Sequence, residues 1–132
     1  SGWGTSRFTS EGNALFGQYA WKKGEGIVPE ERDKNEIYEI KSFKNLKSSV
    51  ASYMKNLNSN FHYDEFRINR YIMRRNGIPL DGIHLTKYLY NYSTDDDYPE
   101  KIQGIIKTNG LDEFDGVKID NFSVVLSDSD II

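Results

Sequence analysis

Residues 1–18 read SGWGTSRFTSEGNALFGQ, a stretch that opens on a tryptophan between two glycines and closes near a phenylalanine–glycine pair. Glycines at this density predict a loop with a short helix rather than one long regular element. The stretch contains no Met, no charged leader and no long apolar run, so it is not typical of a signal peptide or a membrane anchor. We therefore expect it to be an internal segment of a domain.

Length and composition limit the number of domains and the classes of protein that the chain can represent. Its 132 residues suffice for one domain with a modest core. Nine Tyr, seven Phe and two Trp give 14% aromatic residues. Tyrosines suit a partly solvated groove because the ring is buried while the hydroxyl bonds to solvent or ligand. The net charge of −3 argues against a dedicated nucleic-acid binder. The absence of Cys excludes disulfides, thiolate metal sites and Cys nucleophiles, and it leaves the cellular compartment open.

The periodicity of apolar residues predicts a mainly α chain with one small β-hairpin, the α+β class. Strands are predicted over residues 21–28 and 36–43, with turn residues between them. Three- and four-residue spacing then predicts a helix from Leu46 to about residue 60, with one face formed by Leu46, Val50, Tyr53, Met54 and Leu57. Further helices are predicted over residues 64–76, 81–92 and 97–110, the last with Pro99 in its first turn. We expect one domain over residues 1–110 and an acidic tail over 111–132.

The sequence lacks the motifs of several common kinds of active site. The two histidines, His62 and His84, have no metal-ligand spacing, no glycine-rich segment has the context of a phosphate loop, and no serine lies in a GxSxG elbow. We therefore expect no metal or other cofactor. Carboxylates and tyrosines remain, and they suggest carbohydrate chemistry, since acid-assisted glycoside cleavage needs a carboxyl group to protonate the leaving oxygen. Twenty acidic residues satisfy almost any spacing, so this argument alone does not select a site.

Several sequence motifs give a more specific indication of function than the residue types alone. The segments SGWGTSRF, GNALFGQ and YSTDDDYPEKIQGII follow one another in an order that resembles the glucosaminidase domains of glycoside hydrolase family 73. GIVPEER, SYMKNLNSN and YSTDDDY resemble the Bax-type branch of that family more closely. The resemblance implies a lysozyme-like, two-lobed fold with a helical lobe, a β-hairpin lobe and a substrate groove. It also implies an endo-β-N-acetylglucosaminidase that hydrolyses the peptidoglycan glycan strand after N-acetylglucosamine.

The resemblance also implies which residues act in catalysis. In the family a general-acid glutamate ends a helix immediately before the SGWG motif, a position that would precede Ser1. We therefore expect these 132 residues to form an N-terminally truncated domain that is inactive by itself, because a proton donor contributes about 10²–10⁴-fold in rate. Tyr98 matches the tyrosine that lines the catalytic groove, although packing on Pro99 is an alternative. Glu30 and Glu31 lie on the hairpin, where some relatives carry a second acid that activates water, and otherwise they are solvated strand residues.

Five further residues are candidates for substrate binding because they surround the opening motif: Trp3, Asn13, Phe16, Tyr19 and Trp21. Trp3 has a structural alternative, packing at the base of the motif turn. Asn13 and Phe16 would meet the acetamido group at the groove floor. Tyr19 and Trp21 offer flat faces to a sugar ring, or else cover the root of the hairpin.

Two functional classes stay open at this point. The chain is a peptidoglycan glucosaminidase, or it is a non-catalytic module that binds peptidoglycan or chitin-type glycans without turnover. A lysozyme-like domain acting on another N-acetylated polysaccharide is a third possibility. The expected partner is a peptidoglycan glycan strand, with no nucleic acid and no membrane segment, and the expected location is the bacterial cell envelope (periplasm or exported). The oligomeric state is left open.

Overall fold

The computed structural model describes residues 4–117, which divide into two compact units, residues 4–56 and residues 57–117. Five α-helices and three short strands make up the described chain. The helices are α1 (Arg7–Gly12), α2 (Leu46–Ser59), α3 (Asp64–Arg75), α4 (Gly82–Thr86) and α5 (Tyr98–Thr108), and the strands are β1 (Tyr19–Ala20), β2 (Gly26–Ile27) and β3 (Glu39–Lys41). This element content confirms the mainly helical α+β class and is consistent with the lysozyme-like fold that the resemblance implies.

The first unit is built on a three-stranded antiparallel sheet in the order β1-β3-β2. Tyr19 is paired with Ile40 on one side of β3, and Ile27 is paired with Ile40 on the other. Ala14, Ala20 and Ile40 supply the buried apolar side chains of this unit. Because these side chains are small or few, close backbone packing rather than large hydrophobic residues holds the unit together.

The predicted hairpin is wrong in its details, although its second strand and its antiparallel pairing are confirmed. The expected strand over residues 21–28 is interrupted, and only Gly26–Ile27 of it pairs with β3. The cause is a turn at Gly24, whose φ of +89° lies in the region that glycine adopts without strain. Residues before this turn pair with β3 through Tyr19–Ala20 instead.

The face of α2 that carries its apolar residues is only partly covered among residues 4–117. Leu46 and Met54 are 49% and 56% exposed, whereas Ser49 is completely buried. The Ser49 hydroxyl accepts the Leu15 N–H at 3.2 Å, and the Gln18 side-chain amide donates to the Ser52 carbonyl at 3.4 Å. The segment after α1 therefore lies close to α2 at Ser49 and Ser52.

The second unit contains the helices that sequence periodicity predicted best. Helix α3 covers the predicted span and ends before Gly77, which has a φ of +65°. Helix α5 begins at Tyr98 with Pro99 in its first turn, as expected. The predicted helix over residues 81–92 instead consists of α4, capped by the Asp81 side chain, and a 3₁₀ segment over Lys87–Tyr92 that is kinked at Leu89. The buried apolar residues of this unit are Tyr63, Met73, Leu85 and Leu89.

The expected boundary after Gly110 stays a prediction. The described residues beyond it include a 3₁₀ turn over Leu111–Phe114, and the Asp115 carboxylate accepts the Gly82 N–H at 2.7 Å. The start of the predicted tail is thus attached to α4 in the same unit. Within residues 4–117, no helix combines the length and apolar character that crossing a bilayer requires.

Candidate functional site

Three aromatic side chains of the first unit form a cluster that we call the aromatic platform: Tyr19, Trp21 and Tyr38. The Tyr19 and Tyr38 rings stack with centroids 4.4 Å apart, and Trp21 lies edge-on to them at 5.9 Å and 6.3 Å. Tyr19 is 53% exposed and Trp21 is 66% exposed. Aromatic side chains normally bury most of their area, so an ordered cluster with two exposed rings is suited to bind an apolar ligand face.

Strand pairing and a backbone hydrogen bond position two of the platform residues, Tyr19 and Tyr38. Tyr19 lies in β1, opposite Ile40 of β3, and the stack with Tyr38 follows from this register. The Arg32 guanidinium donates to the Tyr38 carbonyl at 2.8 Å. Partial burial, reinforced by the negative charge of Glu36, raises the pKa of the Tyr38 hydroxyl above its usual value. This hydroxyl therefore stays a hydrogen-bond donor at neutral pH.

Glu30 and Glu31 lie together on the wall of one cavity in the first unit. This cavity of about 320 Å³, the Glu30–Glu31 pocket, is also lined by Arg7, Phe8 and Pro29. Arg7 Nε lies 3.6 Å from Glu30 Oε1, and Arg7 Nη2 donates to the Val28 carbonyl at 3.0 Å. Arg7 thus joins α1 to the loop after β2 and gives the Glu30 carboxylate a cationic partner. Among the described residues Glu31 has neither an ion pair nor a side-chain hydrogen bond.

Asn13 and Phe16 have contacts that help to shape the first unit. Asn13 has a left-handed φ of 51° after α1, and its side-chain amide donates to the Phe43 carbonyl at 2.9 Å. The Phe16 ring stacks on Tyr53 of α2 at 4.1 Å and 13°. Both side chains are half-buried, so each also presents a surface to solvent. Trp3 lies outside the described residues.

Tyr98 belongs to the second unit, where it is the first residue of α5. Its ring stacks on Tyr92 with centroids 5.2 Å apart, and Tyr92 lies 6.4 Å from Tyr63. Its backbone N–H donates to the Asp95 carbonyl at 3.0 Å. The Asp95 carboxylate pairs with Lys101 and accepts the Asp97 N–H, so the turn that positions Tyr98 is fixed by side-chain contacts.

The sequence of this chain is similar to those of known proteins. The sequence profile of the glucosaminidase family, described as mannosyl-glycoprotein endo-beta-N-acetylglucosaminidase, matches residues 1–111. The chain belongs to the glucosaminidase family. It is also 31% identical to Protein bax of Escherichia coli strain K12 over 94 residues, a match that covers 71% of this chain and 32% of that protein. The match thus extends over about a third of the relative's length. No solved structure gives a significant match.

These findings confirm the resemblance to the family and to its Bax-type branch. The structure brings Tyr19 and Trp21 together in one cluster and Glu30 and Glu31 together in one pocket, and it places Tyr98 in the other unit.

Sequence reasoning missed three residues that shape the candidate site of this glucosaminidase domain: Arg7, Tyr38 and Glu39. Glu39 is 4% exposed and accepts the backbone N–H groups of Gly24 and Gly26. A single carboxylate inside the apolar run IYEI was a usable signal, because a buried charge requires partners. Arg7 and Tyr38 had no comparable signal, since their contacts join segments 21 and 19 residues apart in sequence.

Residues 4–117 contain no group of three or more His, Asp or Glu side chains arranged to hold a metal ion.

Proposed function

We propose that this chain is the glycan-cleaving domain of an endo-β-N-acetylglucosaminidase that acts on peptidoglycan after N-acetylglucosamine. The observation that carries the proposal is the aromatic platform within a glucosaminidase-family domain. The apolar face of a pyranose ring packs on an aromatic ring, while Tyr hydroxyls bond to the hydroxyls of the sugar. With this substrate, the cell envelope is the proposed location.

The Glu30–Glu31 pocket supplies the proposed carboxylate chemistry. Glycoside hydrolysis by inversion needs a carboxylate that activates water, at about 6.5–9.5 Å from the proton donor. Glu31 is the better candidate for this role because its carboxylate is exposed and unpaired among the described residues. Glu30 is held by Arg7 at 3.6 Å, so we assign it to fixing the loop that carries Glu31.

We infer the further substrate contacts from the family resemblance. Tyr19 and Trp21 would stack on sugar rings, Tyr98 would contact the sugar at the scissile bond, and Asn13 and Phe16 would line the acetamido site. Trp3 is the remaining candidate for substrate binding. From the same resemblance we propose that the proton donor immediately precedes the SGWG motif. The experiment therefore compares the 132-residue chain with a version that carries its natural upstream residues.

The test is a digest of purified peptidoglycan by both proteins, with products reduced by borohydride and identified by mass spectrometry. Reduced N-acetylglucosamine ends from the extended protein alone are the expected result. Reduced N-acetylmuramic acid ends would overturn the bond assignment, and the same N-acetylglucosamine ends from the short chain would overturn the assignment of the proton donor. Binding by both folded proteins without any product would favour the glycan-binding module.

A matched pair of variants tests the roles of the two glutamates in the extended protein. Glu31→Gln is expected to lower kcat by about 10²-fold or more, as the loss of a general base does. Glu30→Gln makes the same chemical change at the neighbouring position and is expected to have a smaller effect on kcat. Equal losses, or a larger loss for Glu30→Gln, would contradict the assignment.

A further inference from the structure

Helix α3 concentrates positive charge in a chain whose net charge is −3. It contains four arginines: Arg67, Arg70, Arg74 and Arg75. The first three are spaced three and four residues apart, which places them on one face of the helix. Arg75 lies about 100° away from Arg74 around the helix axis and therefore belongs to another face.

Arg67 has a structural role that its contacts explain. Its guanidinium donates to the Leu57 carbonyl at 3.0 Å and to the Asn60 carbonyl at 2.8 Å, and it pairs with Asp64. A cation at these carbonyl groups satisfies the last turn of α2 and complements its dipole. The guanidinium of Arg67 is thus already paired with groups of the second unit.

Arg70 is half-buried without a carboxylate partner among residues 4–117. Its guanidinium lies 5.1 Å from the centre of the Phe66 ring, and Nη2 donates to Asn58 Oδ1 at 2.6 Å. Partial burial, with the positive charges of Arg74 and Arg67, lowers the pKa of Arg70 from its usual value. The side chain is therefore held in one orientation while its charge is left uncompensated.

Arg74 lies one turn further along the same face and is exposed. No ion pair or hydrogen bond of its side chain exists within the described part of the chain. Like charges at this spacing destabilise a helix by a few tenths of a kcal/mol, about as much as an opposite pair stabilises it. An anion bound beside both guanidinium groups would offset this repulsion by its attraction to each of them.

We propose that Arg70 and Arg74 form an anion subsite that binds carboxylate groups of the peptides attached to the glycan substrate. A guanidinium presents a planar fork of N–H donors that matches a carboxylate, and the Phe66 ring and Asn58 hold the fork of Arg70 in place. The inference rests on the proposed function, since the proposed substrate carries these carboxylates to the domain. It adds a recognition element for the peptide part of that substrate.

The test measures the binding of three soluble ligands to the full chain by isothermal titration. They are peptidoglycan fragments with free peptide carboxylates, the same fragments after amidation of those carboxylates, and neutral N-acetylglucosamine oligomers. The variants are Arg70→Gln and Arg74→Gln, with Arg75→Gln as the matched control on another face of α3. Arg74 is exposed and its side chain makes no hydrogen bond or ion pair among residues 4–117, so Arg74→Gln keeps the test valid even if Arg70→Gln disturbs the fold.

Each of the first two variants is expected to weaken binding of the free-carboxylate fragments by roughly two- to fivefold, the range of exposed ion pairs. Arg75→Gln should leave this affinity unchanged, and neither amidated fragments nor neutral oligomers should distinguish the variants. An equal loss for Arg75→Gln, or the same losses with amidated fragments, would overturn the subsite. Failure of the unaltered chain to bind even the neutral oligomers would instead overturn the proposed function.

Discussion

The Glu39 carboxylate accepts the backbone N–H of Gly24 through both of its oxygens, each at 3.0 Å. One oxygen also accepts the Gly26 N–H at 2.9 Å. The side chain belongs to a residue that is only 4% exposed, and such a carboxylate needs charge-assisted hydrogen bonds to offset its lost hydration. Glu39 therefore fixes the turn that leads from β1 to β2, directly after Trp21 of the aromatic platform.

Replacing Glu39 by glutamine is expected to lower the melting temperature of the domain. The substitution removes the negative charge and turns an N–H-donating amide group toward N–H groups that need an acceptor. Glu36→Gln, the same change at an exposed position of the same segment, should leave the melting temperature almost unchanged. Equal shifts for the two variants in thermal unfolding would show that Glu39 does not hold the turn.

The contacts of the Glu39 carboxylate should also make the stability of the domain depend on pH in the acid range. The Gly24 and Gly26 N–H groups lower the pKa of Glu39 from its ordinary value of 4.5, against the opposing effect of burial. A lowered folded-state pKa means that this stabilisation is fully present above pH 4.5 and is lost as pH falls through the folded-state value. The difference in melting temperature between the unaltered chain and Glu39→Gln should therefore shrink below pH 4. A difference that is independent of pH would contradict this assignment.

Trp21→Ala is expected to weaken the binding of N-acetylglucosamine oligomers by roughly two- to tenfold, since an aromatic contact contributes about 0.5–1.5 kcal/mol. Trp21 is 66% exposed, so its removal should cost little stability. Ile37→Ala is the control, because Ile37 is 68% exposed in the same unit but lies outside the platform. Titration of both variants with the oligomers checks the prediction. Equal affinity in the two would remove the platform from the binding site.

Asp95→Asn is expected to loosen the start of α5 and the position of Tyr98. The Lys101 ammonium, with the Asp97 N–H, lowers the pKa of Asp95, so this carboxylate loses its contacts only when pH falls through that lowered value. Hydrogen exchange at residues 98–101, corrected for intrinsic rates, should be faster in Asp95→Asn than in Asp96→Asn at neutral pH. Lowering the pH should bring the unaltered chain toward the behaviour of Asp95→Asn. Equal exchange in the two variants would contradict this role.

Local signals were sufficient to predict α2, α3 and α5. Their apolar periodicity, Pro99 in the first turn of α5 and Gly77 after α3 all act within a few residues of the element that they define. The strands of two or three residues carry too little pattern to predict. Their positions depend on the contact between Glu39 and Gly24, which lie 15 residues apart in sequence.

The buried side of α2 and the composition of the platform escaped prediction for a related reason. Leu46 and Met54 satisfied the period of an inward face, but Ser49 is the residue that lets the Leu15 backbone approach the helix. Tyr38 joined the platform because the register of β1 on β3 brings it to Tyr19. Close approach and register are properties of paired segments, and a single-sequence period does not contain them.

A pair of glycine-to-alanine substitutions separates close packing from helix propensity. A Cβ on Gly26 would lie 2.1 Å from the Ile40 carbonyl oxygen, so Gly26→Ala has to break the pairing of β2 with β3. Gly104 is exposed within α5 and has no atom within 4 Å of the added Cβ, so Gly104→Ala should stabilise the chain by about 0.5–1 kcal/mol. Overpacking at Gly26 should cost about 1–3 kcal/mol or more. The urea midpoint of unfolding is expected to be lower for Gly26→Ala, and higher for Gly104→Ala, than for the unaltered chain. A Gly26→Ala protein as stable as the unaltered chain would show that β2 does not lie against β3 at this distance.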